Sequence, residues 1–185
     1  MNAAAWQGPP TGILGCPVPI HRLLARTDHA VIALRHVTAF PQGCSIELHL
    51  AVRRGSLDEA AWEGLLARHT GAGFPLGPTD DDDDLKLGVA FPDGSRATTV
   101  GNAFRGWAGP ADRPAPPMLV EAGGESSSGE KSYESGRRLW LWPLPAAGPF
   151  ELVAQWRSVG IDTTATTLDG AAIGRAAEQA LPYWP

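Results

Sequence analysis

Three polar side chains could support ionic or acid–base chemistry, because a predicted β-hairpin brings them together. They are Arg35, Glu47 and His49. In its expected register His49 lies directly opposite Arg35, and Glu47 follows one step along the same face. Such neighbours are about 5 Å apart at Cβ, which allows an ion pair and a histidine contact. The pattern is typical of a hydrated sheet face, and catalysis would need a nucleophile or a metal that the sequence does not supply. We therefore predict a candidate binding cluster without a metal.

A second candidate site is the aromatic stretch LWLWPLP, residues 139–145. Trp140 and Trp142 share one face of the predicted strand and leucines occupy the other, so both faces are apolar. Either the chain covers the indoles, with a helix or the proline-rich segment 101–117, or the indoles line an exposed groove. Cover is the expected arrangement for at least one of them. Trp107 would be a further wall of a groove.

The chain contains none of the common signatures of catalytic and cofactor sites. There is no G-x-G-x-x-G, no G-x-x-x-x-G-K-[ST], no G-x-S-x-G and no H-E-x-x-H motif. We therefore predict no cofactor and favour a protein that is not an enzyme.

Charge and composition favour some partners and compartments over others. The 185 residues carry a net charge of -5, which argues against a phosphate-binding surface for nucleic acid. No stretch approaches the ~20 apolar residues of a membrane-spanning helix. Cys16 and Cys44 lack C-x-x-C spacing and are expected to be free thiols in the cytoplasm. The excess of Arg, Ala, Gly and Pro suggests a bacterial genome rich in GC.

The elements that must position these side chains are hairpins with similar loops. SIELHLAVR, residues 45–53, alternates apolar and polar positions, and the loop Pro41–Gly43 joins it to the preceding strand. A three-residue loop would pair Phe40 with Cys44 and place His36 in the core. The same loop chemistry recurs at Pro92–Gly94, after the alternating LKLGVAF.

Repeated hairpins predict a mainly β fold, an antiparallel β-sandwich of immunoglobulin-like or jelly-roll-like type with two short helices. Residues 1–16 are expected to be irregular, and residues 17–185 to form one sandwich domain. The predicted helices begin with a capping box at Ser56 and near residue 170. The polar segment 123–136 is predicted to be a flexible loop that folding does not require. Further strands are expected at residues 18–26, 117–122, 137–143, 149–157 and 161–167.

The run WLWPLPAAGPFELVAQW, followed by a short strand, a helix and the tail LPYWP, resembles a family of cytosolic proteins from GC-rich bacteria to which no activity is assigned. The likeness covers about the last fifty residues and the hairpin LGVAFPDGSRATT. It implies a β-sandwich-like fold and a cytoplasmic location, and it assigns no catalytic residues.

These patterns lead to two predicted functions. The first is a non-enzymatic β-sandwich that binds a protein partner or assembles with itself, with no nucleic acid or membrane partner. It rests on the missing motifs, the tryptophan-rich strand and the long loops. The alternative is a small-molecule or catalytic pocket between the sheet and the proline-rich segment 101–117.

Overall fold

A computed structural model describes residues 4–70, 84–99 and 113–184 of the chain. These residues form antiparallel sheets and two helices, so the prediction of a mainly β, sandwich-like fold with two helices is confirmed. The described part of the chain contains no helix that is long and apolar enough to cross a membrane.

Secondary structure follows the alternation of apolar and polar residues over most of the described chain. The strands are β1 Ile13–Leu14, β2 Cys16–Arg26, β3 Ala30–Phe40, β4 Gly43–Arg53, β5 Lys86–Ala90, β6 Arg96–Thr98, β7 Met118–Glu121, β8 Ser126–Ser128, β9 Ser132–Trp142, β10 Pro149–Trp156, β11 Ile161–Asp169 and β12 Leu181–Pro182. The helices are α1 Glu59–Thr70 and α2 Gly170–Ala177.

The strands form two main sheets and a small ribbon. Sheet I has the order β2-β3-β4-β9-β7, and β8 also pairs with β9. Sheet II has the order β11-β10-β5-β6. The ribbon pairs β1 with β12 and so joins two segments that are far apart in the sequence.

The main core lies between the two sheets and is closed by side chains from both helices. Alternate residues supply it, as predicted for the strand now named β4, and β10 alternates in the same way. The inward side chains of these two strands are Ile46, Leu48, Leu50, Val52, Phe150, Leu152, Ala154 and Trp156, and each is buried. Full burial of an aliphatic or aromatic side chain stabilises the fold by about 1.5–3 kcal/mol, so this layer is the main source of stability.

A second apolar cluster lies on the opposite face of sheet I. It contains Trp140 and Trp142 from β9, Phe40 from β3 and Trp6 from the amino-terminal segment. Because β9 is a central strand with side chains packed on both faces, its sequence is apolar at successive positions rather than at alternate ones.

The turn between β3 and β4 differs from the prediction. Phe40 pairs with Gly43 rather than with Cys44, so the loop is the two residues Pro41–Gln42. Gly43 lacks the positive φ expected of it and lies in the strand. A Cβ at this position would be 2.7 Å from the ring of Trp140, so the glycine is required by packing.

The predicted register of β3 on β4 is wrong because the two-residue turn shifts the pairing by one residue and a bulge in β3 shifts it by one more. The ladder steps from the pair Leu34–Leu48 to the pair His36–Glu47, and Arg35 is the extra residue. His36 is therefore not a core residue opposite Leu48. It is half-buried and lies opposite Glu47.

The second hairpin has the predicted loop. The Phe91 amide donates to the Ser95 carbonyl at 2.9 Å, which leaves Pro92–Gly94 as the three-residue connection. Gly94 has a φ of 86°, a conformation that costs glycine little. Proline, which fixes φ, and a terminal glycine therefore identified this turn correctly.

The amino-terminal cap of helix α1 differs from the prediction. The helix is capped by Asp58, whose side chain accepts from the Ala61 amide at 2.8 Å, rather than by Ser56. The segment 123–136 is not a simple loop, because it contains β8 and the first five residues of β9. Tyr133 and Ser135 of this segment are buried.

Candidate functional site

The structure separates the predicted cluster of Arg35, Glu47 and His49. Ala33, not Arg35, is the residue paired with His49 across the β3–β4 ladder. Glu47 instead accepts from Nε of Arg138 at 2.7 Å, and His49 lies 3.4 Å from a carboxylate oxygen of Glu134. Both new partners belong to β9, whose register was not part of the sequence argument.

Arg35 is left without an ionic partner by this arrangement. Its side chain is exposed and makes no hydrogen bond or ion pair within the described part of the chain. The nearest predicted carboxylate, Glu47, is engaged by Arg138. An arginine in this state is available to an anion from solution.

Sheet I is distorted around Arg35 on two neighbouring strands. The β2–β3 ladder steps from the pair Pro19–His36 to the pair Arg22–Leu34, which adds residues to β2 at the level of the β3 bulge. His21 lies in this irregular stretch and has a φ of 51°. Positive φ is uncommon outside glycine, and bulges of this kind redirect side chains away from the regular alternation.

The distortion opens a cleft of about 760 Å³ over β2, β3 and β4, which we call the basic cleft. Its basic and titratable lining residues are two arginines and three histidines, namely Arg22, Arg35, His21, His36 and His49. Leu23 and Ala33 add apolar surface, and no carboxylate lines the cleft. The sequence contains all of these residues, but no local pattern indicates that they converge.

Trp140 and Trp142 do not form an exposed platform. They are 0% and 5% exposed, and the Trp140 Nε1 donates to the Ala5 carbonyl at 2.9 Å. The guanidinium carbon of Arg113 lies 5.0 Å from the centre of the Trp142 ring. The amino-terminal segment around Trp6 covers Trp140 and was not among the predicted covers, whereas Arg113 over Trp142 belongs to the predicted cover 101–117.

Trp107 and the greater part of the proline-rich segment lie outside the described residues. The predicted pocket against that segment lies there as well.

Exposed aromatic side chains occur instead on the ribbon of residues 11–14 and 181–184, which we call the terminal ribbon. Leu14 pairs with Leu181, and both are more than half exposed. Tyr183 and Trp184 follow and are 55% and 79% exposed. The Tyr183 amide donates to the Gly12 carbonyl at 2.9 Å, which extends the pairing beyond β12. The aromatic tail LPYWP is the signal in the sequence that could have identified this surface.

The described ranges contain no group of three His, Cys, Asp or Glu side chains placed to hold a metal ion. Both cysteines are free thiols. Cys44 lies in the main core, where burial raises the pKa of its thiol to about 12. A thiol in that state is a poor nucleophile near neutral pH, so Cys44 does not supply the missing catalytic group.

Comparison with protein-family models, curated proteins and solved structures finds no match to this chain.

Proposed function

We propose that this protein is a non-enzymatic interaction module that binds a protein partner, or a second copy of itself, through the terminal ribbon. The observation that carries the proposal is the exposure of Tyr183 and Trp184 beside the exposed pair Leu14–Leu181. Contiguous exposed apolar surface of this kind marks interaction sites, and tryptophan and tyrosine dominate binding hot spots.

The backbone of the terminal ribbon is held in place before any partner binds. Leu14 and Leu181 belong to a paired ladder, and the hydrogen bond from Tyr183 to Gly12 fixes the residue that precedes Trp184. A surface that is already ordered loses less conformational entropy on association than a free tail would. The ribbon is therefore suited to recognition by side chains on a fixed backbone.

The test combines self-association and crosslinking. A photoreactive amino acid at position 184 should give a crosslink to one defined protein, or to a second copy of the chain. Replacing Tyr183 and Trp184 by serine should weaken that association by about 2 kcal/mol or more, roughly thirtyfold in Kd, measured by sedimentation equilibrium or titration calorimetry.

The matched control is Leu23→Ser, which removes an exposed apolar side chain from β2, away from the ribbon. This variant should associate like the parent. The proposal fails if the parent is monomeric and gives no defined crosslink, or if the ribbon variant binds as well as the parent.

A small-molecule site is the second candidate function, and the basic cleft is the observation that favours it. This cleft lies over β2, β3 and β4 rather than against the proline-rich segment.

We assign the module to the bacterial cytoplasm. Support comes from the two free cysteines, because reduced thiols are usual in that compartment and disulfides are usual outside it.

A further inference from the structure

We propose that the basic cleft binds a small organic anion, with Arg35 holding its phosphate or carboxylate group. This inference does not depend on the terminal ribbon. It concerns the opposite chemistry, a polar concave site rather than an exposed apolar surface.

The first support is the way the backbone builds the site. Irregular pairing occurs at the same level of β2 and β3, around His21 and around Arg35. Regular strands would alternate these side chains between the two faces of sheet I. The bulges instead bring adjacent positions, Arg35 and His36 among them, to the lining of one cleft.

The second support is the charge of the lining. The cleft is lined by Arg35 and three histidines, and no carboxylate lines it. The two acidic groups nearest in the ladder are engaged elsewhere, Glu47 by Arg138 and Glu134 by His49. Arg35 therefore makes no ion pair with a described residue, and Glu47 and Glu125 line a separate, smaller pocket beside it.

The third support is the donor geometry that arginine offers. All the N–H groups of Arg35 remain for a ligand. Arg22, by contrast, donates to the Thr166 hydroxyl of β11 at 2.9 Å, on the face of sheet I where its ladder partner Leu34 is buried. Guanidinium groups match the paired oxygens of phosphate and carboxylate, and such charged hydrogen bonds are about twice as strong as neutral ones.

The fourth support concerns the organic part of the ligand. Leu23 is 57% exposed and lines the cleft beside Ala33. The volume of about 760 Å³ is within the usual range for small-molecule sites. A ligand with an aromatic or aliphatic group next to its anion would cover this apolar surface.

The test is titration of the full chain with phenyl phosphate, benzoate and inorganic phosphate at constant pH and ionic strength. Binding is followed by the NMR signals of the histidine rings. The signals of His21, His36 and His49 should shift saturably, whereas those of His29, which lies outside the cleft, should not. Phenyl phosphate and benzoate distinguish the two anionic groups, and either one satisfies the proposal.

Arg35→Gln should weaken binding by about tenfold or more, which corresponds to about 1.4 kcal/mol. Arg96→Gln is the matched control, because it removes the same charge from an exposed position on β6 of the other sheet. It should bind like the parent. Thermal melting of all variants confirms that they are folded.

Three results would overturn the proposal. One is that neither phenyl phosphate nor benzoate shifts the histidine signals of the cleft saturably. Another is an equal loss of affinity in Arg35→Gln and Arg96→Gln, which would indicate a nonspecific effect of charge. The third is equal affinity for inorganic phosphate and phenyl phosphate, which would remove the organic ligand.

Discussion

The indole Nε1 of Trp140 donates a hydrogen bond of 2.9 Å to the backbone carbonyl of Ala5, 135 residues earlier in the chain. Trp140 is fully buried, and a buried donor without an acceptor would cost about 1–3 kcal/mol. The bond therefore satisfies the indole and ties the amino-terminal segment to the outer face of sheet I. The tryptophans of β9 are a second core rather than a binding platform.

Trp140→Ala should lower the free energy of unfolding by about 3–5 kcal/mol, because it removes a large side chain that is packed on all sides. Phe40 contributes to that packing, with its ring centre 5.8 Å from that of Trp140 in an edge-on arrangement. Chemical denaturation monitored by circular dichroism measures the change. Trp184→Ala is the control, because its exposed indole should change stability by less than about 1 kcal/mol. A Trp140→Ala protein with the denaturation midpoint of the parent would contradict the second core.

The strands were predictable where one face is buried and the other is wet. Alternation in β4 and β10 identifies the inward side chains, because a period of two follows from strand geometry alone. The loop Pro92–Gly94 was predictable for a similar reason, since proline and glycine restrict the turn by their own backbone chemistry.

The register of the first hairpin was not obtained from these local signals. The sequence AVIALRHVTAF does contain the bulge as a change of phase, because Ile32 and Leu34 are buried and then Val37 and Ala39 are buried. A single three-residue loop with perfect alternation cannot account for both pairs. Arg35 is the residue at which the alternation shifts.

The candidate sites depend on contacts between distant segments, which sequence periodicity does not encode. The basic cleft requires β2 beside β3, and the terminal ribbon requires residue 14 beside residue 181. Burial of Trp140 similarly depends on the amino-terminal segment. Neither the partners nor the relative exposure of these residues follows from their own neighbours along the chain.

Tyr133→Ala should lower the free energy of unfolding by about 3 kcal/mol, because Tyr133 is buried and pairs with Val52 in the ladder of sheet I. For a chain of this length that corresponds to a decrease in Tm of about 6–12 °C. Ser127→Ala in β8 is the control, since this side chain is exposed and should leave Tm nearly unchanged. Equal melting of both variants with the parent would restore the prediction of a dispensable loop.

Cys44 should make the protein less stable at alkaline pH. Burial raises the pKa of its thiol from 9.0 to about 12, so the unfolded chain releases this proton at a lower pH than the folded chain. Between those values the unfolded state binds fewer protons, and the free energy of unfolding falls as pH rises, by about 1.4 kcal/mol per pH unit from this group.

The measurement for Cys44 is urea denaturation of the parent and of Cys44→Ala between pH 8 and pH 10.5. The other titrating groups are common to both proteins, so the difference between the two curves isolates this thiol. The variant should be less stable at pH 8, because it leaves a small cavity, and should lose stability less steeply above pH 9. Parallel curves would contradict the assigned shift in pKa.

Gly43→Ala should lower the free energy of unfolding by about 1–3 kcal/mol through overpacking. The added methyl group would meet the backbone carbonyl oxygen of Leu141 and would lie 2.7 Å from the ring of Trp140. Neither neighbour can easily move, because the carbonyl belongs to a central strand and the indole is held by its bond to Ala5. Denaturation by urea gives the loss directly.

Gly64→Ala, the same substitution in α1, is the control for Gly43→Ala. A Cβ at Gly64 meets no atom within 4 Å, and alanine is a better helix former by about 1 kcal/mol, so this variant should be as stable as the parent or more so. A loss of stability in Gly43→Ala without a loss in Gly64→Ala would show that Gly43 is required because there is no space for a side chain beside Trp140, and not for backbone freedom. If Gly43→Ala instead had the same free energy of unfolding as the parent, β4 would not be in close contact with the second core. The amino-terminal segment would then cover Trp140 more loosely than its hydrogen bond to Ala5 indicates.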